Sequence, residues 1–311
     1  KNNMKNVKTL LILLSISTFI FASATRTDAL GGAGFWADDY ANIGAFPASV
    51  NNHNVAWTDG TDFTSVWNND GTTWGFTGGT GDEVANIMWG NGTMGVTFGL
   101  GMSAAVDAVT CADDAVDCTA SDEVPAETDI DIGFGMPLAG MDFGFHTNTT
   151  DHSVNLRRAQ DIWVWDHMLI GANIMGETAD DADDGYMAFN CDFYKNQTYA
   201  SGTNGLFALG VGYNDMTEDG AFNLNWTFGV ESAMTDWATL RVAYTHAYDL
   251  MNQTGADVAG NAVVMGLGFN YGSFNLDMSL NSYDALLNDP VRYVNGRNAD
   301  ALGAGWTISY N

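Results

Sequence analysis

The sequence is short of bases, prolines and cysteines. Ten Lys and Arg stand against 38 Asp and Glu in 311 residues, a formal net charge of −28 at pH 7. Three of the ten (Lys1, Lys5, Lys8) precede the first apolar run. Neutralising a phosphate backbone needs a basic surface, so nucleic acid is excluded as a partner. Self-repulsion of this size is tolerable where salt screens it or divalent cations bridge it. Of the four prolines, Pro47, Pro125, Pro137 and Pro290, none falls within the periodic runs described below. That suits long strand ladders, which proline interrupts. The three cysteines give little chemistry. Cys111 and Cys118 lie close together in an acidic stretch and could close that loop with a disulfide after export. Cys191 sits inside a periodic run and reads as a small apolar packing residue. Without neighbouring histidines the spacing supports no metal site, and no cofactor is implied.

After residue 24 no apolar run is long enough to cross a bilayer as a helix. Residues 4–24 read as an export signal. Lys5 and Lys8 form the basic region, Leu10 to Phe21 the apolar core, and Ala22-Ser23-Ala24 the small-residue cleavage site, giving a mature start at Thr25. If the mature chain enters a membrane, strands must take it there.

What the sequence has is alternation. Met94, Val96, Phe98, Leu100 and Met102 alternate with Gly95, Thr97, Gly99 and Gly101. The same beat returns at 130–136, 222–230 and 274–280. A period of two places one set of side chains on each face of a strand. Here one face is bulky and apolar, and the other is Gly, Thr, Asn, Ser and Asp. This pattern predicts an all-β fold, a transmembrane antiparallel β-barrel over 54–311, preceded by a segment at 25–53. Candidate strands fall at 54–58, 62–67, 72–78, 84–90, 93–102, 128–136, 140–147, 161–175, 186–194, 205–213, 221–231, 237–248, 262–271, 273–281 and 304–310. Asp59-Gly60, Asp70-Gly71, Asn91-Gly92 and Gly272 mark tight hairpins. Counting inside and outside back from the C-terminus fails before residue 204, which points to a missed or miscounted strand between 148 and 204. An even count is expected of a single-chain barrel, and we adopt fourteen strands, within 12–16, with sixteen as the nearest alternative. Trp57, Trp67, Trp74, Trp89, Trp163, Trp237, Trp306, Tyr213, Tyr248, Tyr271 and Tyr310 lie mostly at the ends of runs, as an interfacial girdle requires. A soluble β-sandwich also alternates. It is disfavoured by run length, by the near absence of Lys and Glu from the polar face, and by the last run, Gly305 to Tyr310.

The start of the mature chain reads Ala29-Leu30-Gly31-Gly32-Ala33-Gly34, then Ala37-Asp38-Asp39, then Phe46-Pro47-Ala48. It resembles outer-membrane proteins of the FadL/PorV-like superfamily. There a glycine-rich stretch is followed by an acidic pair and an Asn-Pro-Ala-Gly box; Phe46 and Ser49 depart from that box. The resemblance implies a barrel of about fourteen strands with the N-terminal segment folded inside as a plug or hatch. Gly31, Gly32, Gly34, Asp38, Asp39, Phe46 and Pro47 are then its candidate residues. In transporters of that family a hydrophobic substrate passes the hatch, while PorV-type relatives serve secretion.

If the bulky residues face lipid, the alternate ones line a lumen: Asp129, Asp131, Asp142, His146, Asp192, Asn223, Asn225, Glu231, Arg241, Asn275 and Asp277. Acids without matching bases concentrate cations and repel anions. The same residues could instead hydrogen-bond one another across a packed interior. No enzyme is expected. The five histidines are scattered, and His152 and Ser153, being adjacent, point to opposite faces of a strand. The acidic runs Asp113-Asp114 and Asp180 to Gly185 lack EF-hand spacing and read as solvated loops, with loose divalent-cation bridging to lipopolysaccharide phosphate open to them. The expectation is a passive, cation-preferring channel for small solutes in the outer membrane of a Gram-negative-type bacterium, in contact with outer-membrane lipid and lipopolysaccharide. A plugged structural or interaction barrel and a FadL-like transporter of hydrophobic molecules are the alternatives.

Overall fold

The computed structural model describes residues 24–79, 83–103, 127–176, 185–215, 220–251, 259–280 and 305–311. Sixteen antiparallel strands close into one barrel, each paired with its sequence neighbour and the last with the first. They are β1 Val55–Thr58, β2 Asp62–Asn69, β3 Thr72–Gly79, β4 Glu83–Gly90, β5 Gly95–Ser103, β6 Glu127–Leu138, β7 Met141–Thr147 and β8 Asp151–Ile162. The second half comprises β9 Trp165–Met175, β10 Tyr186–Thr198, β11 Asn204–Asn214, β12 Ala221–Thr235, β13 Ala238–Asp249, β14 Ala259–Tyr271, β15 Phe274–Leu280 and β16 Gly305–Tyr310. Closure leaves no strand edge to be satisfied.

The expected count of fourteen is corrected to sixteen. The candidate at 161–175 is mainly β9, and the strand absent from the sequence reading is β8. Its outward residues include His152 and Arg158 beside Val154 and Leu156, so its apolar face is broken at both ends. With β8 in place the parity conflict disappears. The strand ends that flank the long connections 104–126, 176–185, 215–220, 250–258 and 281–304 all lie at one end of the barrel. The strand ends either side of 59–61, 80–82 and 148–150 share that end; the turns 70–71, 91–94, 139–140, 163–164, 199–203, 236–237 and 272–273 lie at the other, with the start of β1 and Asn311. Asp70 and Gly71 both take positive φ, 50° and 83°, the geometry of a two-residue hairpin. Pro137 falls inside β6, opposite Asp142 and beside the 139–140 turn, where a lost ladder bond matters least.

The period-two reading of the wall holds side chain by side chain. Phe98, Ile130, Ile132, Phe189, Phe228 and Val230 are exposed on the outer face. Thr64, Thr77, Asn86, Thr97, Asn223 and Thr227 are buried on the inner one. Outward Trp67, Trp74, Trp89, Trp163, Trp237, Tyr271 and Tyr310 gather at the short-turn end. Trp57 is a correction: it points inward, is 1% exposed, and packs 4.5 Å from the Tyr40 ring.

Residues 24–52 run along the inner face as four short turns of helix, Ala24–Asp28, Ala33–Phe35, Asn42–Ala45 and Pro47–Asn52. Both buried apolar clusters form between this segment and the wall. One joins Ile43 and Val50 to Val55, Trp57, Val66 and Met88. The other joins Leu30 and Trp36 to Tyr194, Leu206 and Ala208. Met88 is fully buried on β4 beneath the segment. Met88→Ala is expected to destabilise the protein by about 2–5 kcal/mol, the cost of lost transfer plus a cavity. Denaturant unfolding followed by tryptophan fluorescence measures this; a loss below about 1 kcal/mol would mean that the cluster is loosely packed.

Candidate functional site

The inner face is where polar chemistry collects. All the residues expected to line a lumen sit on the inward set of their strands. The structure brings several together. Asp131 Oδ1 lies 2.6 Å from His146 Nε2, and Arg157 donates through Nε and Nη2 to Asp142, both at 3.1 Å. Asn190 donates to Asp192, and Asn270 donates to Asn275, each at 2.7 Å. The Thr149 hydroxyl donates to Asp129 at 2.5 Å. Asn223 is buried without joining a charged pair among the described residues. Asn225 Oδ1 is buried with no acceptor bond among the described residues.

The largest constellation was not foreseen from sequence. Arg26 lies on the N-terminal segment. It donates to both carboxylate oxygens of Glu231 at 3.1 Å and to Asp39 at 2.5 Å. Arg241, on β13, donates to the same Glu231 at 2.8 Å and to Asp277 at 2.6 Å. The result is a chain of alternating sign, Asp39, Arg26, Glu231, Arg241, Asp277, tying the segment to β12, β13 and β15. Burial works against the charge on Arg26, but the bond to Glu231 and the charges of Asp39 and Glu231 outweigh it and raise its pKa.

A second fastening is built on Arg157, also missed because β8 was missed. Beyond Asp142 it donates to Asn42 Oδ1 at 2.9 Å and to the Gly34 carbonyl at 3.4 Å, and its guanidinium lies 4.4 Å from the Phe46 ring centre. Asn196 on β10 adds a bond to the Phe35 carbonyl at 2.8 Å. The scarcity of bases is the sequence signal that bears on these residues: any Arg among so many inward acids has partners waiting.

The segment approaches the wall closely. β-Carbons on Gly95, Gly135 and Gly144 would overlap the backbone of Ala45, Pro47 and Ala48, so those wall positions admit no side chain. Of the residues expected in the segment, Gly31 and Gly32 take φ of 89° and 127°. A β-carbon on Gly34 would meet the Leu169 side chain. Asp39 is in the charged chain, and Phe46 is under Arg157. Pro47 abuts Gly95, Gly133 and Gly135. Asp38 is exposed in a cavity of about 460 Å³ at the short-turn mouth, which Arg26, Asp39, His53, Arg241 and Asp277 also line. Burial lowers the His53 pKa, against the pull of Asp39 and Asp38.

Cys111, Cys118, Asp113, Asp114 and Asp180–Asp184 lie outside the described residues. Cys191 is a free thiol on the outward face of β10, between Phe189 and Phe193. His152 faces outward, 2.6 Å from Thr147 Oγ1, while Ser153 is buried inward. Among the described residues no three His, Cys, Asp or Glu are grouped to hold a metal ion. No helix among them is long and apolar enough to cross a membrane.

No protein-family model matches the chain, and no curated protein does. Among solved structures it is similar to a triple mutant of Rh. blastica porin, at 10% identity and a TM-score of 0.36 over 80% of this chain and 88% of that one. It is also similar to the translocator domain of the autotransporter NalP from Neisseria meningitidis, at 11% identity and a TM-score of 0.23 over 83% and 84%. Likenesses this distant carry no argument about this chain.

Two outcomes follow from the fastening. Arg26→Ala leaves buried Asp39 short of its cation and is expected to cost the seating of residues 24–46 about 3–5 kcal/mol. Hydrogen exchange of the amides in 29–46 should accelerate, with the β-strand amides unchanged; unchanged exchange in 29–46 would refute it. The second concerns Asp28, whose carboxyl opens on the interior but is surrounded closely enough that burial pushes its pKa up to about 6. A carboxyl with a raised folded pKa favours the native state while protonated. Its contribution is present at low pH and is lost as pH rises from about 4 to about 6. Protection of the amides in 24–30, with the intrinsic pH dependence of exchange divided out, should therefore fall across that window in the parent and stay flat in Asp28→Asn.

Proposed function

We propose that this protein is an outer-membrane barrel that passes small solutes, with a preference for cations, through a lumen narrowed by residues 25–53 acting as a plug. One observation carries the reading. Among the described residues the three inward-facing guanidiniums, Arg26, Arg157 and Arg241, are all engaged in holding the segment or its anchors. The remaining interior charge among the described residues belongs to acids, such as Asp28, Asp38, Asp129, Asp131, Asp151 and Asp192. Such an interior draws cations in and disfavours anions. The outward apolar face with aromatic residues near its rims supports the membrane setting. Cleavage after Ala24 would release the chain for seating.

Two measurements test this. In planar bilayers under a KCl gradient, the protein should show small conductance steps with a reversal potential on the potassium side. A variant carrying both Arg26→Ala and Arg157→Ala should conduct several-fold more. Chloride selectivity would overturn the cation preference. A protein that stays silent in both forms would favour the plugged structural barrel, and lipid or detergent held in the interior would favour a transporter of hydrophobic molecules. The membrane setting is tested separately. Phe98→Arg places a charge on the outward face of β5 and should cost about 2–4 kcal/mol of folding stability in liposomes, whereas Trp163→Arg at an exposed turn should cost little. Equal, small effects at the two positions would argue against hydrocarbon around the wall.

A further inference from the structure

Only five Lys and Arg fall among the described residues, and three of them face inward in ion pairs. The other two, Arg158 and Lys195, face outward. Arg158 follows inward Arg157 on β8 and is half-buried; Lys195 follows fully buried Tyr194 on β10 and is exposed. Neither makes an ion pair or side-chain hydrogen bond among the described residues. In a chain with so many acids, two bases left unpaired on the same outer surface are a departure that calls for a partner outside the chain.

Their placement narrows that partner. Arg158 pairs across the sheet with Met168, and Met168 with Phe193, so Arg158 and Phe193 lie in one row and Lys195 is two positions further along the same face. Strand spacing sets their backbones roughly 10 Å apart across the sheet and about 7 Å along it. Long basic stems span such a gap by lying along apolar surface with the charge at the interface. Both residues approach the short-turn end, near the 163–164 and 199–203 turns. The surface beside them is aromatic. Lys195 pairs with Phe207, whose ring lies 5.1 Å from that of Trp165 and 4.7 Å from that of Phe228. The nearest carboxylate on this edge, Asp166, accepts the Asn196 amide at 3.2 Å and faces His167 Nδ1 at 2.5 Å. Asp161 lies exposed by the turn.

We propose that Arg158 and Lys195 form a binding site for the phosphodiester of an anionic glycerophospholipid in the leaflet on the short-turn side, its acyl chains lying over Met168, Phe193 and Phe207. The site rests on the membrane reading above. Its chemistry is two cations converging on one phosphate over an apolar floor, with the glycerol headgroup in water. Lipopolysaccharide is disfavoured because Arg158 and Lys195 approach the end of the barrel away from the strand ends that flank the long acidic connections.

Native mass spectrometry of the purified full chain, with phosphatidylglycerol or phosphatidylcholine of matched acyl chains added, tests this. Each base beside an anionic lipid is worth about a factor of five in affinity. Arg158→Gln and Lys195→Gln should each weaken phosphatidylglycerol retention by about that factor, the double variant by more, with phosphatidylcholine unaffected. Flotation with vesicles of the two lipids, and heat-shifted gel migration, check that the variants insert and fold. Equal phosphatidylglycerol retention by the parent and a correctly inserted double variant would overturn the site. Phosphatidylcholine held as tightly as phosphatidylglycerol would overturn the phosphate recognition, and preferential retention of lipopolysaccharide would overturn the leaflet. A parent that fails to float with any vesicle would defeat the membrane reading itself, a failure distinct from loss of the site.

Discussion

The interior depends on pairing charge where water is scarce. A closed wall of sixteen strands satisfies its own backbone, and barrels of that size ordinarily leave an aqueous channel. Here the inner face carries carboxylates that must meet cations, water or one another. The chain Asp39, Arg26, Glu231, Arg241, Asp277 solves this by alternating sign, with one guanidinium from the segment and one from the wall. Glu231 is the shared member and couples the two arginines. Losing either arginine therefore unbalances both halves, which is why the segment and the wall behave as one interior and not as a pore with a loose tail.

Shape follows the same logic as charge. The backbone of the segment comes up against the wall where side chains are missing, as at Gly95, Gly135 and Gly144. Elsewhere on the inner face threonines bond to each other, as Thr64 does with Thr77 and Thr25 with Thr307, each at 2.8 Å. A lumen face of Gly and Thr is thus complementary to a backbone packed on it. The same residues would suit an open aqueous channel, so composition by itself does not separate an empty barrel from a filled one.

That ambiguity shows how much the sequence could reveal. The outward face was legible because Phe98, Ile132 and Phe228 repeat at a fixed period and need only their own strand to be read. β8 was not legible, because Arg157 and Arg158 interrupt its pattern, one for an inward ion pair and one for the outer surface. Trp57 looked like its neighbours in the girdle, but a strand of four residues gives too short a run to fix its face, and Tyr40 takes it inward. Arg26 and Glu231 are 205 residues apart. Only barrel closure brings them together, and strand count and register had to be right before they could be paired. The glycines at 31, 32 and 34 stood out in the sequence, but their contacts with Thr227 and Leu169 belong to the closed barrel.

The way the segment is held also bears on how it could give way. Its apolar contacts lie on opposite sides of the barrel, Ile43 and Val50 against β1, β2 and β4, and Leu30 and Trp36 against β10 and β11. The ion pairs sit elsewhere, Arg26 toward β12 and Arg157 on β8. Desolvated ion pairs add little net stability compared with apolar contacts, yet breaking one side of such a pair is costly. The apolar clusters therefore set how firmly the segment stays, while the charged chains set its register. Opening a path along the acidic side requires moving the stretch between two anchors, not expelling the whole segment.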